Sequence, residues 1–271
     1  GSRKIMPNSS DVSYKAPPIV EKALSIQFRP LESFHVALLG VIWDAFKAEY
    51  PKISYESRLE HTIERFGIPF AHAKPSFKLL DKPEAPRTTF ISLNEEYLIQ
   101  VQDDRFVLNW RKTESNSYPR HQVLIEKLLK EFGTFKGVFM ENGIDSVEPD
   151  QLEIINVNHI EDDNVSLDKA FDSIMSNSSI AMSDVEGFSC NFSQFFEYEG
   201  KKIGRIYTNL EKAKRKKDLQ DIFGIKITVG LDPIGASNEE LVKLFDKLRC
   251  SVNSVFDSVT TAKFQETWGK Q

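Results

Sequence analysis

The chain has 271 residues, enough for one large core or two modest ones. Hydrophobic residues make up 40% and charged residues 28%, an ordinary globular composition that argues against a disordered chain. A net charge of -5 argues against a protein that is basic overall and binds nucleic acid through its general field, and no apolar run approaches the ~20 residues of a membrane-spanning helix.

Phe is abundant, 20 residues against 7 Tyr and 3 Trp, which points to well-filled cores. Cys190 and Cys250 lie far apart with no metal-ligand spacing, so both are expected to be free thiols in a reducing, cytoplasmic setting. The opening GSRKIMPNSS has no hydrophobic stretch and is not a secretory signal, and residues 1–13 are expected to be flexible.

In PPIVEKALSIQFRP (17–30) a Pro pair precedes a strand that ends at Pro30, with Ile19, Ala23 and Ile26 set among charges. SFHVALLGVIWDAFKAEYP then repeats Phe34, Leu38, Val41, Ala45 and Phe46 at helical spacing, with Ser33 as N-cap and Pro51 as stop. Residues 52–86 carry four prolines and predict a short strand near ISYESRLEHTI followed by an excursion. Next come three strands. TTFISLN turns at Asn94-Glu95-Glu96 into YLIQVQ, which turns at Asp103-Asp104 into RFVLNWRK. In the last of these, alternation sets Phe106, Leu108 and Trp110 on one face and Val107, Asn109 and Arg111 on the other.

YPRHQVLIEKLLKEFG predicts a helix with Leu124, Leu128 and Phe132 on one face and Gly133 as its stop. QLEIINVNHIE alternates like a strand, with Asn156 and Asn158 on one face and Val157 and His159 on the other. SLDKAFDSIM predicts a short helix. Strand-like segments follow, with a hairpin turn at Gly200. The last element is the clearest: Leu241, Phe245, Leu248, Val252, Val255 and Val259 form one stripe, opened by a Ser237/Glu240 capping box.

The motifs of phosphate-binding loops, dinucleotide folds, zinc proteases and serine hydrolases are absent, and the five histidines are scattered. Glu95-Glu96, Asp103-Asp104 and Asp162-Asp163 are expected to be solvated turn acids, since neighbours on a strand point apart and make no acid/base dyad. No catalytic, cofactor or metal residue is expected. Two groups of residues stand out. Glu21, Asn109, Arg111, Asn156, Asn158 and His159 are the candidate polar cluster between strands. Lys212, Lys214, Arg215, Lys216 and Lys217 are a candidate anion or nucleic-acid patch in a hairpin loop, with no interleaved aromatic for base stacking.

PPIVE near the start, NWR after the predicted hairpin, YP opening a helix and the C-terminal TWG occur in an order that resembles a sporadically distributed, uncharacterised bacterial and archaeal family of similar length. The resemblance runs from Ala16 to Lys270 and rests on Pro17, Pro18, Ile19, Val20, Glu21, Asn109, Trp110, Tyr118, Pro119, Asn156 and Trp268; IINVNHI lacks the aromatic usual before the first Asn. It implies no activity or cofactor. The family's patchy distribution is similar to that of mobile or defence-associated genes.

The expected fold is α+β: two consecutive units of antiparallel sheet packed by helices, at 14–165 and 166–271, with a long amphipathic C-terminal helix. The expected function is a non-catalytic interaction or regulatory protein with a protein partner, within a defence or toxin–antitoxin-like system. The alternatives are a nucleic-acid-associated or nuclease-like protein using the basic run, and a small-ligand binder with a cavity between sheet and long helix.

Overall fold

The computed structural model describes residues 13–60, 84–142, 146–161, 187–214, 221–231, 237–260 and 262–271. In chain order the strands are β1 (Ile19–Phe28), β2 (Lys52–Glu56), β3 (Arg87–Ile91), β4 (Tyr97–Gln102), β5 (Arg105–Arg111), β6 (Pro149–Glu161), β7 (Phe188–Tyr198), β8 (Lys201–Lys214) and β9 (Asp221–Leu231). The helices are α1 (Val36–Phe46), α2 (His121–Glu141), α3 (Asn238–Val259) and α4 (Ala262–Thr267). All nine strands join one antiparallel sheet in the order β2-β3-β4-β5-β1-β6-β9-β8-β7.

The fold is therefore α+β as expected, with a long C-terminal helix. The two consecutive halves are contiguous portions of one sheet, joined where β6 pairs with β9. Each side of β6 meets a partner strand, so neither half leaves a long hydrogen-bonding edge at the junction. The expected boundary at 165/166 and the SLDKAFDSIM helix lie outside the described residues. Of the segment 1–13 only Ser13 is described, and its carbonyl accepts from the Gln271 N–H at 2.9 Å.

The helices cover one face of the sheet. Register places Leu24, Ile26, Leu108, Phe106, Ile154 and Ile227 on that face, where they join the core. The Phe-rich composition is explained there: Phe28 and Phe106 of the sheet meet Phe132 and Phe135 of α2, Phe135 packs on Phe139, and Phe46 of α1 packs on Phe90 and Phe106. Their ring centroids lie between 4.8 Å (Phe135–Phe139) and 6.5 Å (Phe28–Phe132). The stripe predicted for α3 is buried residue for residue, and its capping box is present. The β7–β8 hairpin turns at Glu199 (φ 49°) and Gly200 (φ 75°), the paired positive dihedrals that a two-residue turn demands.

Some local expectations are corrected. Helix α1 starts at Val36 with His35, not Ser33, in the N-cap position. It buries Leu38, Leu39, Ile42 and Phe46, leaving Val41 and Ala45 exposed. Gly133 does not stop α2. The helix continues to Glu141 because Phe135, Val138 and Phe139 bury their side chains, which outweighs the roughly 1 kcal/mol a helical glycine costs. Asp103 and Asp104 do form the predicted turn, but they are not simply solvated. Asp104 is buried and accepts from Gln102 Nε2 at 2.8 Å, and Asp103 pairs with Arg58 at 2.6 Å. Arg58, Leu59 and Glu60 lie on the sheet face opposite the helices. There Leu59 exchanges backbone hydrogen bonds with the Gln102 side chain (2.8 and 3.0 Å) and Arg105 donates to the Glu60 carbonyl at 3.0 Å.

Candidate functional site

The six residues of the expected polar cluster do not meet, because the sheet separates them. Glu21, Asn109 and Arg111 lie on the face away from the helices. There Asn109 Nδ2 donates to Glu21 Oε1 at 2.6 Å, and Arg111 is the cross-strand partner of Glu21. Asn109 is buried, and its Oδ1 has no partner among the described residues. His159 is on this same side, on β6 beside the strand that carries Glu21 and two strands from Asn109 and Arg111, opposite Gly224 of β9. Asn156 and Asn158 face the helices; Asn158 Nδ2 donates to the Ile225 carbonyl at 3.2 Å, a strand-end role.

Asn156 belongs instead to a polar seam that the sequence did not announce. Its cross-strand partner is Lys22, which is only 2% exposed, in the middle of the apolar face of β1. The Lys22 ammonium donates to the Tyr118 hydroxyl at 2.9 Å, and Tyr118 packs edge-on against Trp110 with centroids 5.3 Å apart. Trp110 is buried on the face it shares with Phe106 and Leu108, and its Nε1 donates to Glu96 Oε1 at 3.1 Å. The first residue of α2, His121, completes the seam. Neither of its buried ring nitrogens has a partner among the described residues. Burial, followed by the nearby charges of Lys22 and Arg249, pushes its pKa down to about 3. Asn156 Oδ1 is likewise buried and without a partner among the described residues. An imidazole with so low a pKa stays neutral at physiological pH and is poorly matched to proton transfer there. Lys22 was legible in one respect: it shares the even-numbered face with Leu24, Ile26 and Phe28.

The basic run is only partly described. Lys212 and Lys214 lie on β8, opposite Phe223 and Asp221, and not in a loop; Arg215, Lys216 and Lys217 lie outside the described residues. Cys190 and Cys250 are not joined in a disulfide, and Arg249 Nη2 lies 3.8 Å from Cys250 Sγ. Among the described residues no helix is long and apolar enough to cross a membrane, and no group of three His, Cys, Asp or Glu residues is placed to hold a metal.

Two of the depressions on the surface stand out. One, of about 630 Å³, lies over β7–β9 and carries polar Asn191, Ser193, Tyr207, Asn209 and Lys226. The other, of about 330 Å³, is an apolar groove between Val36, Leu39 and Trp43 of α1 and Ile53 and Tyr55 of β2, floored by Phe90. Neither lies between the sheet and α3. At the groove Tyr55 is 66% exposed, Val36 57% and Ile53 39%, and among the described residues β2 is a terminal strand of the sheet, bonded to β3 alone. Its position is fixed by the fold. Trp43 is held by a 3.2 Å bond from Nε1 to the Tyr50 carbonyl, and Phe46 stacks on Phe90 beneath. Large side chains exposed together beside an unpaired strand edge are a surface suited to another polypeptide. No sequence pattern pointed to this groove, because its residues come from α1, β2 and β3, and β2 is only five residues long. No protein-family model and no curated protein matches the chain.

Proposed function

We propose that this chain is a non-catalytic interaction module that docks a partner protein in the groove between α1 and the β2 edge. The observation that carries the reading is the coincidence of exposed Val36, Ile53 and Tyr55 with a strand edge that has no neighbour among the described residues. A partner strand laid along β2 would gain main-chain hydrogen bonds, and every second side chain would reach the groove. The neutral His121, whose ring nitrogens meet no partner among the described residues, supports a non-catalytic role for the buried seam, which serves to fix α2 over β1 through the Lys22–Tyr118 bond. The patchy distribution of the family that the chain resembles is the ground for proposing a regulatory place in a bacterial defence or toxin–antitoxin-like system.

The test is site-specific photocrosslinking in cells, with the reactive side chain at Tyr55 and, as control, at exposed Lys263 on α4. A discrete protein adduct is expected at Tyr55 only. It should be reconstituted from purified components and weakened at least tenfold by Val36→Asp. No adduct at Tyr55, or the same adducts at both positions, would overturn the proposal.

A further inference from the structure

We infer that the partner at this edge is a second copy of the same chain, joined β2 to β2 about a two-fold axis; this rests on the interaction reading above and names its partner. The argument lies in the five residues of β2, Lys52-Ile53-Ser54-Tyr55-Glu56. When two such strands run antiparallel and centre on Ser54, Lys52 faces the partner's Glu56, and Ile53 faces the partner's Tyr55. Ser54 meets its own copy. The strand is therefore complementary to itself in charge and in apolar character, which is what an isologous interface requires.

The neighbouring charges extend the match. Lys52 Nζ lies 2.9 Å from Glu95, and Arg87 Nη2 lies 2.5 Å from Glu56. Pairing β2 with β2 lines up Arg87, Glu56, the partner's Lys52 and the partner's Glu95 in alternating sign. Symmetry repeats the row at the other end of the strand. On the helix-covered face, Ile53 and Tyr55 of both copies come together at the mouths of the two grooves.

The register follows from the same geometry. Slipping by one residue would turn the two helix layers to opposite sides of the joint sheet and set Ile53 against Ser54. At the far end of the sheet, the same operation on β7 about Ser193 sets Phe188 against Tyr198, Ser189 against Glu197 and Asn191 against Phe195, with no pair of opposite charges. Self-complementarity belongs to β2 and not to β7.

A charge-swap experiment reads the register directly. Light scattering after size exclusion, at tens of micromolar, should give the wild type a mass twice the chain's 31.0 kDa. Lys52→Glu alone and Glu56→Lys alone each set like charges opposite each other at both ends, and each should run as a monomer with an unchanged circular dichroism spectrum. An equimolar mixture of the two single variants restores both opposite-charge pairs and should recover the double mass, as should the double swap. A monomeric wild type, single variants that dimerise like wild type, or a mixture that stays monomeric would each overturn the inference. A monomeric wild type together with a different protein crosslinked at Tyr55 would leave the interaction reading standing. No adduct of any kind at Tyr55 would remove both.

Discussion

His121 gives the buried seam a pH signature that can be worked out in advance. Burial and the charges of Lys22 and Arg249 lower its pKa from 6.5 to about 3 in the folded protein. The unfolded chain therefore takes up the proton first. The stability that depends on a neutral imidazole is complete above pH 6.5 and is lost as pH falls from there toward 3. At pH 5 the loss is RT ln[(1 + 10^1.5)/(1 + 10^-2)], about 2 kcal/mol, and a folded pKa one unit higher would change it by less than ~0.1 kcal/mol. Chemical denaturation at pH 8, 7, 6 and 5 should be compared between the wild type and His121→Leu, which fills the site without a titrating group. Carboxylates titrate in both proteins, so the difference isolates His121. It should be flat from pH 8 to 7 and then move by about 2 kcal/mol in favour of the variant by pH 5. At neutral pH the variant should be at least as stable as the wild type, because leucine leaves no buried ring nitrogen unbonded. A difference that stays constant from pH 8 to pH 5 would refute the reasoning, since the imidazole would then be hydrated or paired.

Neighbours on β5 should respond differently. Trp110→Ala removes a fully buried ring and should cost roughly 3–5 kcal/mol, whereas Asn109→Ala should cost about 1–3 kcal/mol through loss of the Glu21 bond, both read as lowered midpoints of urea unfolding. Gly133→Ala, at an exposed interior position of α2 where an added Cβ meets nothing within 4 Å, should raise stability by about 0.5–1 kcal/mol. Duplex DNA should bind weakly or not at all at physiological salt. A tight complex with a steep salt slope, lost when Lys214, Arg215, Lys216 and Lys217 become Glu, would instead make the basic run a nucleic-acid site.

The long periodic elements were legible because their patterns are long. Helix α3 offered six apolar residues and a capping box, and β4–β5 offered alternation with turn acids between, so both were placed correctly from sequence. The misplacements arose where tertiary burial overrode a local signal. Gly133 looks like a helix stop until Phe135 and Phe139 are seen against Phe28, Phe34 and Phe106. Ser33 looks like an N-cap until the helix is seen to begin three residues later. That the two halves share one sheet was not legible at all, because the β6–β9 pairing joins residues some seventy positions apart.

The polar residues show a finer limit. Alternation told correctly which of Asn156, Val157, Asn158 and His159 share a side, but not which side faces the helices. Asn109 and Asn156 were therefore grouped although the sheet lies between them. Strand periodicity gives relative facing, and the absolute facing of one strand is set by its neighbours. β1 carries the missing information, since its core face, Leu24, Ile26 and Phe28, also contains Lys22. A lysine in phase with a core stripe must either leave the stripe or bring a partner into it, and here Tyr118 of the YP pair is that partner. The segment that leads into α2 thus receives, through the Tyr118 hydroxyl, the cation that β1 buries.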